Sequence, residues 1–130
     1  MDLLFTILIV VAVLILFFVF RSVQKQKHVT TLTEEQFKEN YRKAQLIDVR
    51  EPNEYERGHI LGARNIPLSQ LKQRIGEVRK DQPIYLYCQR GSRSTRAANI
   101  LRKKGYSGLH QLKGGFSKWT GKIKQKKKGY

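Results

Sequence analysis

PIYLYCQRGSRSTRAANILRKKG, from Pro83 to Gly105, is the stretch whose reading decides the fold. Pro83 to Tyr87 is β-branched and aromatic in an unbroken run rather than alternating with polar residues, the pattern of a strand covered on both faces and therefore central in its sheet. The only cysteine, Cys88, follows, in a loop of small residues and arginines. From Ser94 to Lys104 the apolar residues Ala97, Ala98, Ile100 and Leu101 recur at helical spacing, and Gly105 supplies the stop. A buried strand, a tight loop and a helix N-terminus make up the repeating unit of a parallel sheet.

Outward from that unit, Ala44 to Val49 (AQLIDV) reads as a second buried strand whose carboxyl end reaches a site. Before it, Thr33 and Gln36 form a capping box, with Leu32 placed to staple onto Phe37, so a helix begins at about Glu34. Pro52 to Arg57 offers a helical turn, and Asn65-Ile66-Pro67 breaks the chain. Ser69 then reads as the N-cap of a helix with Leu71, Ile75 and Val78 on one face. Gly108 to Leu112 gives another strand, and Gly114-Gly115 leads into a short helix holding Phe116 and Trp119. There are no internal repeats. The expected fold is a small α/β domain over 31–121, with a mostly parallel central sheet flanked by helices and one transmembrane helix before it.

That helix is Leu3 to Phe20, LLFTILIVVAVLILFFVF, apolar except for Thr6 and without Pro or Gly. At ~1.5 Å per residue it is about 27 Å long, close to the ~30 Å hydrocarbon core of a bilayer. A secretory signal would carry a basic start and small residues at a cleavage site, whereas here Asp2 leads and FFVF closes. Residues 1–21 are therefore expected to be an uncleaved anchor, and 22–30 a polar linker. Arg21, Lys25 and Lys27 follow the span, which places the domain on the cytoplasmic side of the cell membrane. One cysteine allows no intramolecular disulfide and fits a reducing compartment.

The net charge is +16, with +17 carried after position 20, and it predicts attraction to anions of some kind. A basic tail over 122–130 reads either as a solvated end or as a contact with anionic lipid. It lacks the interleaved aromatics of a nucleic-acid binder, so no nucleic acid is expected. His28, His59 and His110 lie too far apart for metal-ligand spacing, and neither metal nor cofactor is expected.

The chemistry centres on Cys88. In a strand-to-helix turn the backbone N–H groups form a nest for an anion, reinforced by the helix dipole. A thiol at the start of such a nest, beside Arg90 and Arg93, is expected as the thiolate, with the same amides holding an anionic substrate while it attacks. The bland alternative is a small buried hydrophobe at a strand end.

Cys88-Gln89-Arg90-Gly91-Ser92-Arg93-Ser94 resembles the active-site loop of single-domain rhodaneses. Ile47-Asp48-Val49-Arg50-Glu51, Glu54-Tyr55 and Gly58 to Pro67 resemble that family's N-terminal motif, and Leu112 to Trp119 its C-terminal one, over about Thr31 to Gly121. Leu61 departs from it, standing where the family often has Pro. The resemblance implies sulfur transfer: Cys88 would take a sulfane sulfur from a small anionic donor such as thiosulfate and pass it to cyanide or a thiol. It further implies that amides from Gln89 to Arg93 hold the persulfide, that Arg90 and Arg93 attract the donor, and that Ser94 fixes the loop. Asp48, Arg50, His59 and Trp119 would be mainly structural, with Arg50 a supporting contact. Two alternatives remain. Cysteine phosphatases and arsenate reductases sharing this fold carry one more residue between cysteine and arginine than the four between Cys88 and Arg93. A non-catalytic docking domain at the membrane would commonly lack the cysteine.

Overall fold

The computed structural model describes residues 2–26 and 29–125. Helix α1, Leu3–Gln26, comes first and contains a stretch, Leu3–Ser22, long and apolar enough to cross a membrane, with none of it buried against the rest of the protein. It continues four residues beyond that stretch, into the segment read from sequence as linker. His28 and the tail from residue 126 lie outside the described residues.

The domain opens with strand β1 (Thr30–Leu32) and helix α2 (Glu34–Asn40). The capping box is formed at both ends, Gln36 N donating to Thr33 Oγ1 at 3.3 Å and Thr33 N to Gln36 Oε1 at 3.0 Å. Strand β2 (Gln45–Asp48), helix α3 (Pro52–Arg57) and the short strands β3 (His59–Ile60) and β4 (Arg64–Asn65) follow. Then come β5 (Ile84–Tyr87), α4 (Ser92–Lys103), β6 (Leu109–Leu112) and β7 (Ile123–Lys124).

Among the described residues, five strands form one sheet in the order β1-β6-β5-β2-β4, every neighbouring pair parallel. β5 is in the middle, as its unbroken apolar run requires, and all four of its residues are buried. Alternation along it divides the core. Ile84, Leu86 and Cys88 pack with Ala97, Ala98 and Leu101 of α4, while Tyr85 and Tyr87 pack with Phe37, Tyr41 and Ile60 on the other face. Trp119 joins that second cluster edge-on to Phe37 and Tyr41.

Two segments differ from the sequence reading. Between β4 and β5 there is no α-helix starting at Ser69: the chain makes two 3₁₀ turns, Leu68–Gln70 and Ile75–Glu77, joined by a turn. Leu71 and Val78 are buried as expected, but Gly76 disfavours a continuous helix by ~1 kcal/mol and tight turns already bring those anchors to the core. The tail also begins in structure, since Ile123 and Lys124 form β7, antiparallel to β3 with Ile60 opposite Ile123.

Candidate active site

The carboxyl ends of the adjacent parallel strands β2 and β5 place Asp48 and Cys88 on the same edge of the sheet, where open α/β folds carry their sites. Cys88 is 1% exposed, at the floor of the turn between β5 and α4. The turn is possible because Gly91, at the N-cap of α4, has φ +127°, a conformation side chains resist, with open space around its Cα. It aims two amides at the sulfur. Gly91 N donates to Cys88 Sγ at 2.9 Å and Ser94 N at 3.3 Å, and Ser94 Oγ is 3.6 Å away. The amides of the first turn of α4 have no residue a turn earlier to bond, and the helix dipole adds to their positive field. The sulfur therefore faces two backbone donors at the start of α4.

Each expected loop residue has a distinct place. Ser94 is buried, and its hydroxyl lies 2.9 Å from Gly91 O and 2.8 Å from Gln111 Oε1, tying α4 to β6. Gln89 is half-buried and accepts from Arg50, while Ser92 and Arg90 are exposed at the rim. Arg93, expected with Arg90 to attract the donor, donates to both carboxylate oxygens of Glu54, at 2.7 and 3.0 Å. That contact, chiefly its hydrogen bonds, holds the Glu54 carboxyl below its ordinary range. Among the described residues Arg90 has no acidic partner, so it is the loop cation whose charge is uncompensated.

Behind the loop lies a buried ion pair. Asp48 is fully buried and Arg50 is 2% exposed, with Arg50 Nη2 2.7 Å from Asp48 Oδ2 and Arg50 N donating to Oδ1 at 2.8 Å. The rest of the guanidinium is used: Nη2 donates to Gly58 O at 2.6 Å, Nη1 to Gln89 Oε1 at 3.0 Å, and the group lies 4.3 Å from the centre of the Phe116 ring. Burial penalises the cation, but Asp48 more than offsets this, and the net effect is to hold Arg50 protonated. Arg50 therefore fixes the residue next to Cys88.

The third support comes from the turn after β6. Phe116 N donates to Cys88 O at 2.8 Å and Ser117 N to Gln89 O at 3.1 Å. Gly115, at φ +64°, makes this approach possible: a Cβ there would sit 2.6 Å from both carbonyl oxygens. Sequence reasoning missed Glu54 and Gln111 as partners of the loop. Pairs 39 and 17 residues apart leave no local pattern to read. His59 packs as expected, its ring stacked 3.6 Å from that of Tyr55, and the departing Leu61 is at the surface, away from the loop. A cleft of about 330 Å³ beside the loop is lined in part by Arg50, Arg57, Gln89, Phe116 and Ile123.

Residues 33–122 match the family model described as the rhodanese-like domain. The chain belongs to the rhodanese-like family. Within it, the chain is 62% identical over 121 residues to the uncharacterized protein YqhL of Bacillus subtilis (strain 168), covering 93% of this chain and 96% of that one. It is 37% identical over 75 residues to the thiosulfate sulfurtransferase GlpE of Shewanella oneidensis, covering 58% of this chain and 74% of that protein. Among solved structures it resembles reduced Bacillus anthracis CoADR-RHD, with a TM-score of 0.65 and 41% identity over 70% of this chain, although it spans only 16% of that longer chain. YqhL alone of these relatives extends over nearly the whole chain, including most of its N-terminal segment.

Proposed function

We propose that this rhodanese-like protein is a membrane-anchored sulfurtransferase that carries sulfur as a persulfide on Cys88. The observation that carries the reading is the pair of amides, Gly91 N and Ser94 N, converging on Cys88 Sγ at the start of α4. In the first step the Cys88 thiolate attacks the outer, sulfane sulfur of thiosulfate. A new S–S bond forms, the bond to the oxidised sulfur breaks, and sulfite leaves with the electron pair. The persulfide keeps one negative charge on its terminal sulfur, which the loop amides and the α4 dipole stabilise. In the second step a thiophilic acceptor, cyanide or a thiolate, attacks that terminal sulfur and Cys88 leaves as the thiolate. Neither step needs a metal or an outside oxidant. Arg90 draws the anionic donor to the rim, and Arg50, through Gln89, keeps the loop in shape.

The anchoring half of the proposal rests on α1, whose apolar side chains are exposed along the whole span, unlike a core helix. The basic residues that follow the span keep the domain cytoplasmic. The test is release of thiocyanate from thiosulfate and cyanide by the full chain in detergent, with loss of activity in Cys88→Ser. Full activity in that variant refutes the mechanism. Turnover of an aryl phosphate in its place assigns a phosphatase, and no turnover with any sulfur donor assigns a docking domain.

A further inference from the structure

On the side of α4 away from β5, a second cleft opens between β1 and α4, with a volume of about 730 Å³. Val29, Thr31, Thr95, Asn99, Arg102, Lys103 and Gln111 line it, two cations and neutral polar groups with no carboxylate. Neither Arg102 nor Lys103 has an acidic partner among the described residues. Arg102 Nε is itself buried, closed off from the cleft, and finds no hydrogen-bond partner in the protein, which is uncommon for a charged donor. Thr31 Oγ1 already accepts from Gln111 Nε2 at 3.0 Å, leaving its own proton to donate outward. Arg102, Lys103, Thr31 and the Asn99 amide can thus offer a cation or a donor to this cleft, whereas Thr95 already gives its proton to Gly91 O or Gln111 Oε1 and Val29 is apolar.

We infer that the β1–α4 cleft is a binding site for a phosphate group, and that the phosphate is the headgroup of an anionic phospholipid in the bilayer that holds α1. The source of the phosphate follows from the length of chain available. The candidate span ends at Ser22 and Val29 lines the cleft. Helix as far as Gln26 adds about 6 Å, and three further residues add at most roughly 11 Å, so the cleft lies within about 17 Å of the end of the span. The polar layer of a leaflet is itself about 5–8 Å thick. A cationic cleft held at that distance meets lipid phosphate at far higher local concentration than any soluble anion. The inference rests on the anchoring reading above, but not on sulfur transfer. It also concerns residues other than the lysine tail, which follows β7 in the sequence.

The test uses the full chain in lipid nanodiscs of phosphatidylcholine alone and of phosphatidylcholine mixed with phosphatidylglycerol, read by amide hydrogen exchange. Exchange in β1 and the last turns of α4 is expected to slow several-fold in the anionic discs. The effect should disappear in the R102Q/K103Q double variant and persist when Lys126, Lys127 and Lys128 are changed to Gln. Since the comparison of the two lipids is made on the unaltered chain, the result does not depend on the variant folding. Identical exchange in both lipids, in a chain that resists alkaline carbonate extraction from vesicles, overturns this inference and leaves the anchor standing. A chain that carbonate strips from vesicles overturns the anchor and this inference with it. Equal protection from millimolar inorganic phosphate in pure phosphatidylcholine discs assigns the cleft to a soluble anion and overturns the lipid source.

Discussion

At the scale of single residues, the loop around Cys88 owes its shape to Gly91 within it and to charges and Gly115 placed outside it. Arg50 neutralises the buried Asp48 and holds Gln89 by one further bond. Arg50→Met should therefore leave an uncompensated buried carboxylate and lose about 3–5 kcal/mol in urea unfolding, whereas Asp48→Leu combined with Arg50→Met should recover much of that loss. The double variant should still be a poor sulfurtransferase, because Gln89 has lost its tether. Equal activity in the double variant and the unaltered chain would mean that the ion pair serves stability alone. Asp48 and Arg50 were legible in the sequence as motif residues, two positions apart at the carboxyl end of a buried strand. That the guanidinium reaches Gln89 was not, because the contact spans 39 residues and depends on β2 and β5 being neighbours.

At the scale of elements, α3 and α4 are joined across the mouth of the site by Glu54 and Arg93. The Glu54 carboxyl lies below its ordinary range, first through its hydrogen bonds to Arg93 and against some burial. Its contribution to stability is therefore present above the unfolded carboxylate range, near pH 4.5, and is lost as pH falls through the lower folded value. Partly exposed, the pair is worth about 1 kcal/mol or less. Glu54→Gln should lower stability by that amount at neutral pH, and the difference from the unaltered chain should close on acidification. A difference that persists at low pH would assign the loss to packing. The strands β2, β5 and β6 and helices α2, α3 and α4 could be read from sequence because each carries a local signal, an apolar run or bounding glycine for the strands and a cap, an apolar spacing or a proline for the helices. Local pattern could not give the 3₁₀ path after Pro67, where Leu71, Ile75 and Val78 fit a helix equally well, or β7, whose pairing partner β3 is more than sixty residues away.

At the scale of the whole molecule, the charge and the apolar helix point to one setting. A net charge of +16 raises the encounter rate with anionic donors, and the effect is screened by salt. For thiosulfate, kcat/KM should fall as ionic strength rises, and Arg90→Gln should raise KM several-fold and flatten the salt dependence while kcat changes little. A salt-independent kcat/KM would remove electrostatic recruitment from the account. The sign of the charge was plain from composition. Its division between Arg90, which has no acidic partner among the described residues, and Arg93, which is held by Glu54, required the fold. The central claim remains the chemistry of one sulfur atom, and the intact mass of the full chain after exposure to thiosulfate tests it most directly. The account predicts a gain of one sulfur atom, located on Cys88, absent from Cys88→Ser and removed by cyanide as thiocyanate. An unchanged mass with thiosulfate and with every persulfide donor tried, or the same gain in Cys88→Ser, would contradict it.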